Sequence, residues 1–342
     1  MLSLPSQLLL RNQDIFTEGH WLLVNPTEAY IFNDLGRTQT NGSLAGFHQF
    51  YDVYEQCSQF ANQYFGAQVN ELKACRGAVV YLPKSKAHLA MLLHNLAFAL
   101  PEGATIMLVG ANNAGIKSAG KLLSTYGSRV QKVDAAKHCG LYAVTVEQQV
   151  KTFAIEDYVS WRDYKVGLHS CRIASLPGVF SHRELDPGTQ LLLENLTEVP
   201  DGRILDFACG AGVIGCFAAQ QNPSINVVMT DFNALALYCA RQSCSQNHVD
   251  AEILPSDGLK NITGKFSAIY TNPPFHGSGT QTDYAVTECF IRDIAAHMQP
   301  SASLTLVANR FLKYPDALQN QFGKFSLLAQ TGKFSVYHCV KH

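Results

Sequence analysis

From about residue 200 onward, short apolar runs alternate with segments whose apolar positions recur at helical spacing. That alternation predicts a mostly parallel sheet with helices on both faces. RILDFA (203–208) reads as a strand that runs into the glycine-rich CGAG, and VIGCFAAQQ then has helical period. INVVMTD is strand-like and ends on Asp231, ALALYCARQSCSQ is helical, and AEILPSD is a third strand ending on Asp257. A fourth strand, FSAIYTNPPF (266–275), breaks at two prolines, which cannot continue a central ladder. A helical stretch over 283–298, the strand SLTLVAN, a helix over 315–323 and the runs FSLLAQ and FSVYHCV complete the series. The turn TGK between the last two predicts a terminal antiparallel hairpin. Just upstream, LPGVFSHRELDPGTQLLL predicts a turn at Pro177-Gly178 and a helix capped by Asp186 with Pro187 at its first position.

The first half echoes this order. GAVVYLPKSKAHLAMLLHNLAFAL followed by TIMLVG (105–110) lies beside SAIYTNPPF and LTLVAN (304–309), with Leu82-Pro83-Lys84 standing where Asn272-Pro273-Pro274 stands. LVGANNAG then reads as a late strand and turn, not a nucleotide loop, and the early segment WLLVNPTEAYIFND has no glycine-rich turn. The expectation is an internal duplication whose amino-terminal copy kept the fold and lost the site. Residues 21 to 75 are short for a complete copy, which predicts a missing edge strand there. The expected domains are 1–160 and 170–342.

Composition narrows the class. A chain of 342 residues that is 47% hydrophobic and 15% charged is long enough for two domains and too apolar for a disordered segment. No apolar run reaches the length of a membrane span, and the amino terminus lacks a basic leader and a cleavage site, so the expectation is a cytoplasmic, soluble protein with no membrane partner. Ten cysteines without a C-x-x-C pair argue against a disulfide framework and a zinc site. Net charge is −1, but residues 73–137 carry nine basic side chains against two acidic ones. That stretch, with Lys84, Lys86, Lys117 and Lys121, is either a solvated face or a phosphate-binding one.

Gly210, Gly212 and Gly215 spell G-x-G-x-x-G between a strand and a helix, with Asp231 downstream. Alone, this satisfies the dinucleotide fingerprint. Asp206, at the end of the preceding strand, would repel a pyrophosphate and suits a cationic methyl donor, S-adenosylmethionine. Asn272-Pro273-Pro274-Phe275 ends the fourth strand, beside the switch point where such sheets bind ligands. An exocyclic amine is a poor nucleophile while its lone pair is delocalised. The Asn272 carbonyl and the Pro273 backbone carbonyl can accept its two hydrogens and favour the pyramidal form, and Phe275 can stack on the base. Plainer readings stand beside these: Asp206, Asp231 and Asp257 as cap or turn residues, Asn272 as a strand stop, His276 as an exposed loop histidine.

With Asp206, Asp231, Asp257 and Asn272 at the ends of four successive strands, the order resembles the class I S-adenosylmethionine-dependent methyltransferases. GVFSHRELDPGTQLLL, DFACGAGVIG and TNPPFHGSG are similar to the small-subunit ribosomal RNA methyltransferase C family. That resemblance implies two tandem Rossmann-like methyltransferase folds, the first degenerate, and methyl transfer to guanine N2 in 16S rRNA of the 30S subunit, by a monomer. It puts Asp206, Cys209, Gly210, Gly212, Asp231, Phe232 and Asp257 at the cofactor, and Phe180 and Thr189 on its roof. Asn272, which also borders the cofactor, Pro273 and Phe275 meet the guanine. A methyltransferase of adenine N6 or protein glutamine, and a non-catalytic rRNA assembly factor, remain as alternatives.

Overall fold

The computed structural model describes residues 2–273 and 281–342, without the side chains of 281–285. The chain divides into two compact units, Met1–Tyr158 and Val159–His342.

The first unit runs α1 (Leu4–Arg11), β1 (Glu18–Val24), α2 (Tyr30–Gly36), β2 (Asn41–His48), α3 (Tyr51–Gln56), β3 (Gln63–Phe65), β4 (Cys75–Tyr81), α4 (Lys86–Ala99), β5 (Thr105–Ala111), α5 (Ile116–Ala119), β6 (Gln131–Ala136) and β7 (Cys139–Thr145). Its seven strands lie in the order β3-β2-β1-β4-β5-β7-β6, the first five parallel and β7 antiparallel to both its neighbours. The central strands are apolar on both faces because both are covered. Leu22 and Val24 pack toward Leu89, Leu92 and Leu96 of α4, while Trp21 and Leu23 pack toward Leu8 and Leu9 of α1 and Ile31 and Leu35 of α2. The expected loss of an edge strand is corrected: β3 is present, only three residues long, which is why a pattern of apolar positions does not reveal it.

The second unit contains β8 (Ser160–Val166), β9 (His169–Ser175), α6 (Pro187–Glu194), β10 (Arg203–Phe207), α7 (Val213–Gln221), β11 (Asn226–Asp231), α8 (Ala234–Gln246), β12 (Ala251–Pro255), β13 (Phe266–Thr271), α9 (Gln281–Ala296), β14 (Met298–Asn309), α10 (Tyr314–Phe322), β15 (Ser326–Gln330) and β16 (Phe334–Val340). The strand order β12-β11-β10-β13-β14-β16-β15 repeats that of the first sheet position for position. Leu205, Phe207 and Ile269 face Ile291 and Ile294 of α9 and Leu318 of α10. The opposite face, which includes Asp206, looks toward α7 through a bond from the Gly215 N–H. The terminal hairpin forms as its spacing predicts, with β16 paired to β15 and also to β14.

The hairpin β8–β9 has no counterpart in the reading of the sequence, and it carries the second unit back to residue 159. Side chains of two helices bond one edge of β9. Asn247 donates to Arg172 O at 2.7 Å and accepts its N–H at 2.9 Å, and Ser243 Oγ accepts from Ala174 N at 3.0 Å. Gln220 Nε2 donates to Ser170 O at 2.8 Å. Helix side chains thus blunt an edge that would otherwise invite another strand.

Gly77 lies on β4, where an added Cβ would stand 2.5 Å from the Thr105 carbonyl oxygen and 2.6 Å from the Trp21 ring. Backbone on one side and a buried indole on the other leave no room to relax. Gly77→Ala is therefore expected to lower stability by about 1–3 kcal/mol, read as a lower urea midpoint.

Candidate active site

The turn after β10 is built from left-handed residues. Ala208 (φ +57°), Gly210 (φ +54°) and Gly212 (φ +81°) alternate with ordinary ones, so the chain leaves the strand and enters α7 within five residues. A Cβ on Gly210 would meet nothing within 4 Å, so the backbone there is open to an incoming group. Two carboxylates fix the turn from behind. Asp231 Oδ2 accepts the Gly210 N–H and Oδ1 the Asn233 N–H, both at 2.9 Å. Asp206 Oδ2 accepts the Gly215 N–H at 2.8 Å, while its Oδ1 is buried without a partner among the described residues.

Burial pushes the Asp206 carboxyl up to about 7 against the pull of the Gly215 N–H, and Asp231 nearby adds to the rise. Burial also raises Asp231, opposed by the N–H groups of Asn233, Gly210 and Phe232. Both carboxylates gain from a cation brought alongside.

In front of the turn is a cleft of about 550 Å³ open to solvent, whose walls include Phe180, Thr189, Cys209, Gly210 and Asn272. Asn272 follows β13, and its Nδ2 donates to Asp186 Oδ2 at 2.9 Å and Thr189 Oγ1 at 3.0 Å. Asp186 and Thr189 start α6, where the Asp186 side chain accepts the Thr189 N–H at 2.9 Å, the cap expected from the sequence. Asp206, Gly212, Asp231, Phe232 and Pro273 are not among the residues that line the cleft. Gly212 caps α7, Phe232 follows Asp231 and is partly exposed, and Pro273 follows Asn272. Asp257 follows β12, outside the cleft's lining, with its carboxylate paired to Lys260. Phe275 and His276 lie outside the described residues. Lys84, Lys86, Lys117 and Lys121 are exposed, and no described carboxylate forms an ion pair with them.

Sequence reasoning missed several lining residues, Ser175 and Glu184 among them. Tyr164 and Ile173 reach the cleft from the β8–β9 hairpin, and Asp186 lines it besides capping α6. Only Tyr164-Lys165-Val166, too short to establish a period, hints at the hairpin. Nothing in the spacing of Asp186 pointed to Asn272, 86 residues away.

The first unit shows the same scaffold with other residues at its strand ends. Pairing of Val24 with Phe47 and Val80, and of Phe207 with Thr230 and Thr271, equates the two sheets strand by strand. Leu23 then stands for Asp206, His48 for Asp231 and Tyr81 for Asn272. The alignment of Leu82 with Asn272 is thereby corrected by one residue, a slip that the two prolines invited and strand register forbids. No carboxylate replaces Asp206 or Asp231. A buried polar set occupies the strand ends instead: Asn25 donates to Gln49 Oε1 at 2.9 Å, and His88 Nε2 lies 2.7 Å from the same oxygen. Burial lowers His88 to about 4, which keeps it neutral.

Family models agree with this division. The Methyltransferase small domain N-terminal model matches residues 6–162 and the Methyltransferase small domain model matches residues 170–338. A protein of Pseudoalteromonas atlantica named Ribosomal RNA small subunit methyltransferase C is 49% identical, over 99% of either chain. The chain belongs to this family. A member from Alteromonas mediterranea is 39% identical, again over 99% of both chains. Among solved structures, the Thermus thermophilus 16S rRNA N2 G1207 methyltransferase in complex with AdoMet and guanosine superposes with a TM-score of 0.81. At 22% identity, over 96% of this chain and 91% of that one, it shows that the two-unit fold is shared.

The donor set fits S-adenosylmethionine: an orphaned buried carboxylate oxygen on Asp206, a second carboxylate on Asp231 and a glycine turn with open space above it. Among the described residues no group of three or more His, Cys, Asp or Glu is placed to hold a metal, and no helix is long and apolar enough to cross a membrane.

A carboxyl raised from 3.8 to about 7 in the fold keeps a proton that the unfolded chain releases. Its contribution to stability therefore falls as pH rises from about 4 to about 7. Asp206→Asn, which still accepts from Gly215, is expected to gain stability relative to the parent as pH rises from 5 to 8. Urea midpoints of the two proteins across that range check it.

Proposed function

We propose that this chain transfers a methyl group from S-adenosylmethionine to the exocyclic N2 of a guanosine in 16S rRNA, acting in the cytoplasm as a monomer on the assembled small subunit. The observation that carries the reading is Asn272, held at the rim of the glycine turn with its amide nitrogen engaged and its carbonyl oxygen left to accept. The names of the full-length relatives favour rRNA as the substrate.

Asp206, Asp231 and the Gly210 turn hold the donor in this reading, with Phe180 and Thr189 closing over it and Cys209, Gly212, Phe232 and Asp257 around it. When bound, S-adenosylmethionine supplies an electrophilic methyl group on a cationic sulfur. The Asn272 side-chain carbonyl and the Pro273 backbone carbonyl accept the two amine hydrogens and draw the nitrogen out of conjugation, so that its lone pair points away from the ring plane. Phe275 stacks on the guanine, which leaves its own stack to enter the cleft. No strong base is needed, because the nitrogen becomes cationic on methylation and then sheds its proton to water. Orientation supplies most of the rate.

The first unit keeps the fold and contributes grip. Lys84 and Lys86 follow β4, and Lys117 opens the segment after its neighbour β5, so these three stand near the carboxyl edge of the first sheet. Lys121 lies farther along that segment, which runs back across the sheet face past Tyr142. The four lysines meet rRNA phosphates.

The test is transfer of labelled methyl to undermethylated small subunits, stripped 16S rRNA and total protein, with the labelled product identified after digestion. N2-methylguanosine from subunits is expected; label in adenine, in protein or nowhere defeats the proposal. Asn272→Ala should reduce transfer by roughly 100-fold or more while S-adenosylmethionine affinity stays within about threefold. Reversing all four lysines to glutamate should weaken subunit binding and flatten its log–log salt slope by roughly 3, since each phosphate contact on single strands contributes about 0.7.

A further inference from the structure

Asn272 gives away its amide hydrogens within the protein. Its Nδ2 donates to Asp186 Oδ2 at 2.9 Å and to Thr189 Oγ1 at 3.0 Å. An ionised carboxylate accepts and never donates, so the carboxamide cannot turn its oxygen toward Asp186 without repulsion. The oxygen of Asn272 is thereby kept as the side chain's free function. Pro273, the next residue, has no backbone N–H and offers only a carbonyl.

Capping α6 does not explain a carboxylate at this position. In the first unit Ser3 caps α1 at the equivalent place, accepting the Ser6 N–H at 3.4 Å. Ser6 corresponds to Thr189, and it shares a 2.7 Å hydrogen bond with Tyr81, which stands where Asn272 stands. Cap, third-position hydroxyl and strand-end partner all recur there. What differs is the carboxylate and the amide it holds.

We propose that Asp186 is a positioning residue that locks the Asn272 carboxamide, so that the wall meeting the substrate amine presents hydrogen-bond acceptors only. Such a wall selects an amine with a ring N–H on one side, as guanine N2 has N1–H beside it and the acceptor N3 on the other side, over an amine with no neighbouring ring N–H, as in adenine or cytosine. The unprotonated ring nitrogen would set a lone pair against the Asp186 carboxylate. This inference rests on the reading of Asn272 given above and adds to it the source of base selectivity.

Asp186→Ser keeps a competent cap but removes the charge and the reach, and Asp186→Asn keeps an oxygen able to accept from both Thr189 and Asn272. With undermethylated small subunits, Asp186→Ser is expected to lower kcat by about 10- to 100-fold, with KM and S-adenosylmethionine affinity within about threefold. Asp186→Asn should recover several-fold of that loss. Guanosine should compete with subunits in the parent enzyme far better than 2-aminopurine riboside, whose amine lies between two ring acceptors with no ring N–H beside it. The gap should shrink in Asp186→Ser. Parent-like kcat in Asp186→Ser, no recovery in Asp186→Asn, or equal competition by the two nucleosides would overturn the inference. Absence of N2-methylguanosine with the parent protein instead defeats the functional reading itself, so the two failures are distinguishable.

Discussion

Hydrogen bonds from backbone N–H groups to two carboxylates, the buried Asp206 and the half-buried Asp231, hold the turn on which the site depends. Between Phe207 and Val213 the chain passes from a strand to a helix through left-handed residues, and the Gly210 N–H finds no ladder or helix partner of its own. Asp231, at the end of the adjacent strand, takes that N–H, and Asp206 takes the N–H of Gly215 in the first turn of α7. Removing either acid leaves a donor unsatisfied as well as a cation unattended. The same groups therefore hold the turn and prepare it for a positive ligand.

The two sheets show how little of this belongs to the fold. Their strand orders coincide, yet the first unit has Leu23 and His48 where the second has Asp206 and Asp231, and it fills the strand ends with Asn25, Gln49 and His88. A scaffold of this kind is stabilised by its apolar layers and tolerates either arrangement at its carboxyl edge.

Much of the second unit was legible because parallel strands buried on both faces leave unbroken apolar runs, and Asp231 and Asn272 follow directly from where those runs stop. The hairpin β8–β9 was not, because Arg162, Asp163, Lys165 and Arg172 interrupt it and helix side chains bond one of its edges. Strand β3 is too short to carry a period. The bond from Asn272 to Asp186 joins elements far apart in sequence, and Asp186 is also an ordinary helix cap, a local role that hides its second partner. Tyr81 illustrates the reverse error: a proline-based alignment is persuasive by eye and loses to register by a single residue.

Both sheets place a late strand inside the ladder, β7 between β5 and β6 and β16 between β14 and β15. A sheet so ordered cannot close during synthesis until its last strand has emerged. The first unit can close once Thr145 is free, while much of the second remains to be translated. In the second, every element that builds the cleft is made before β16, which must then insert beside β14. Until it does, β14 presents an unpaired apolar edge, and the nascent chain is most exposed to wrong partners in that interval.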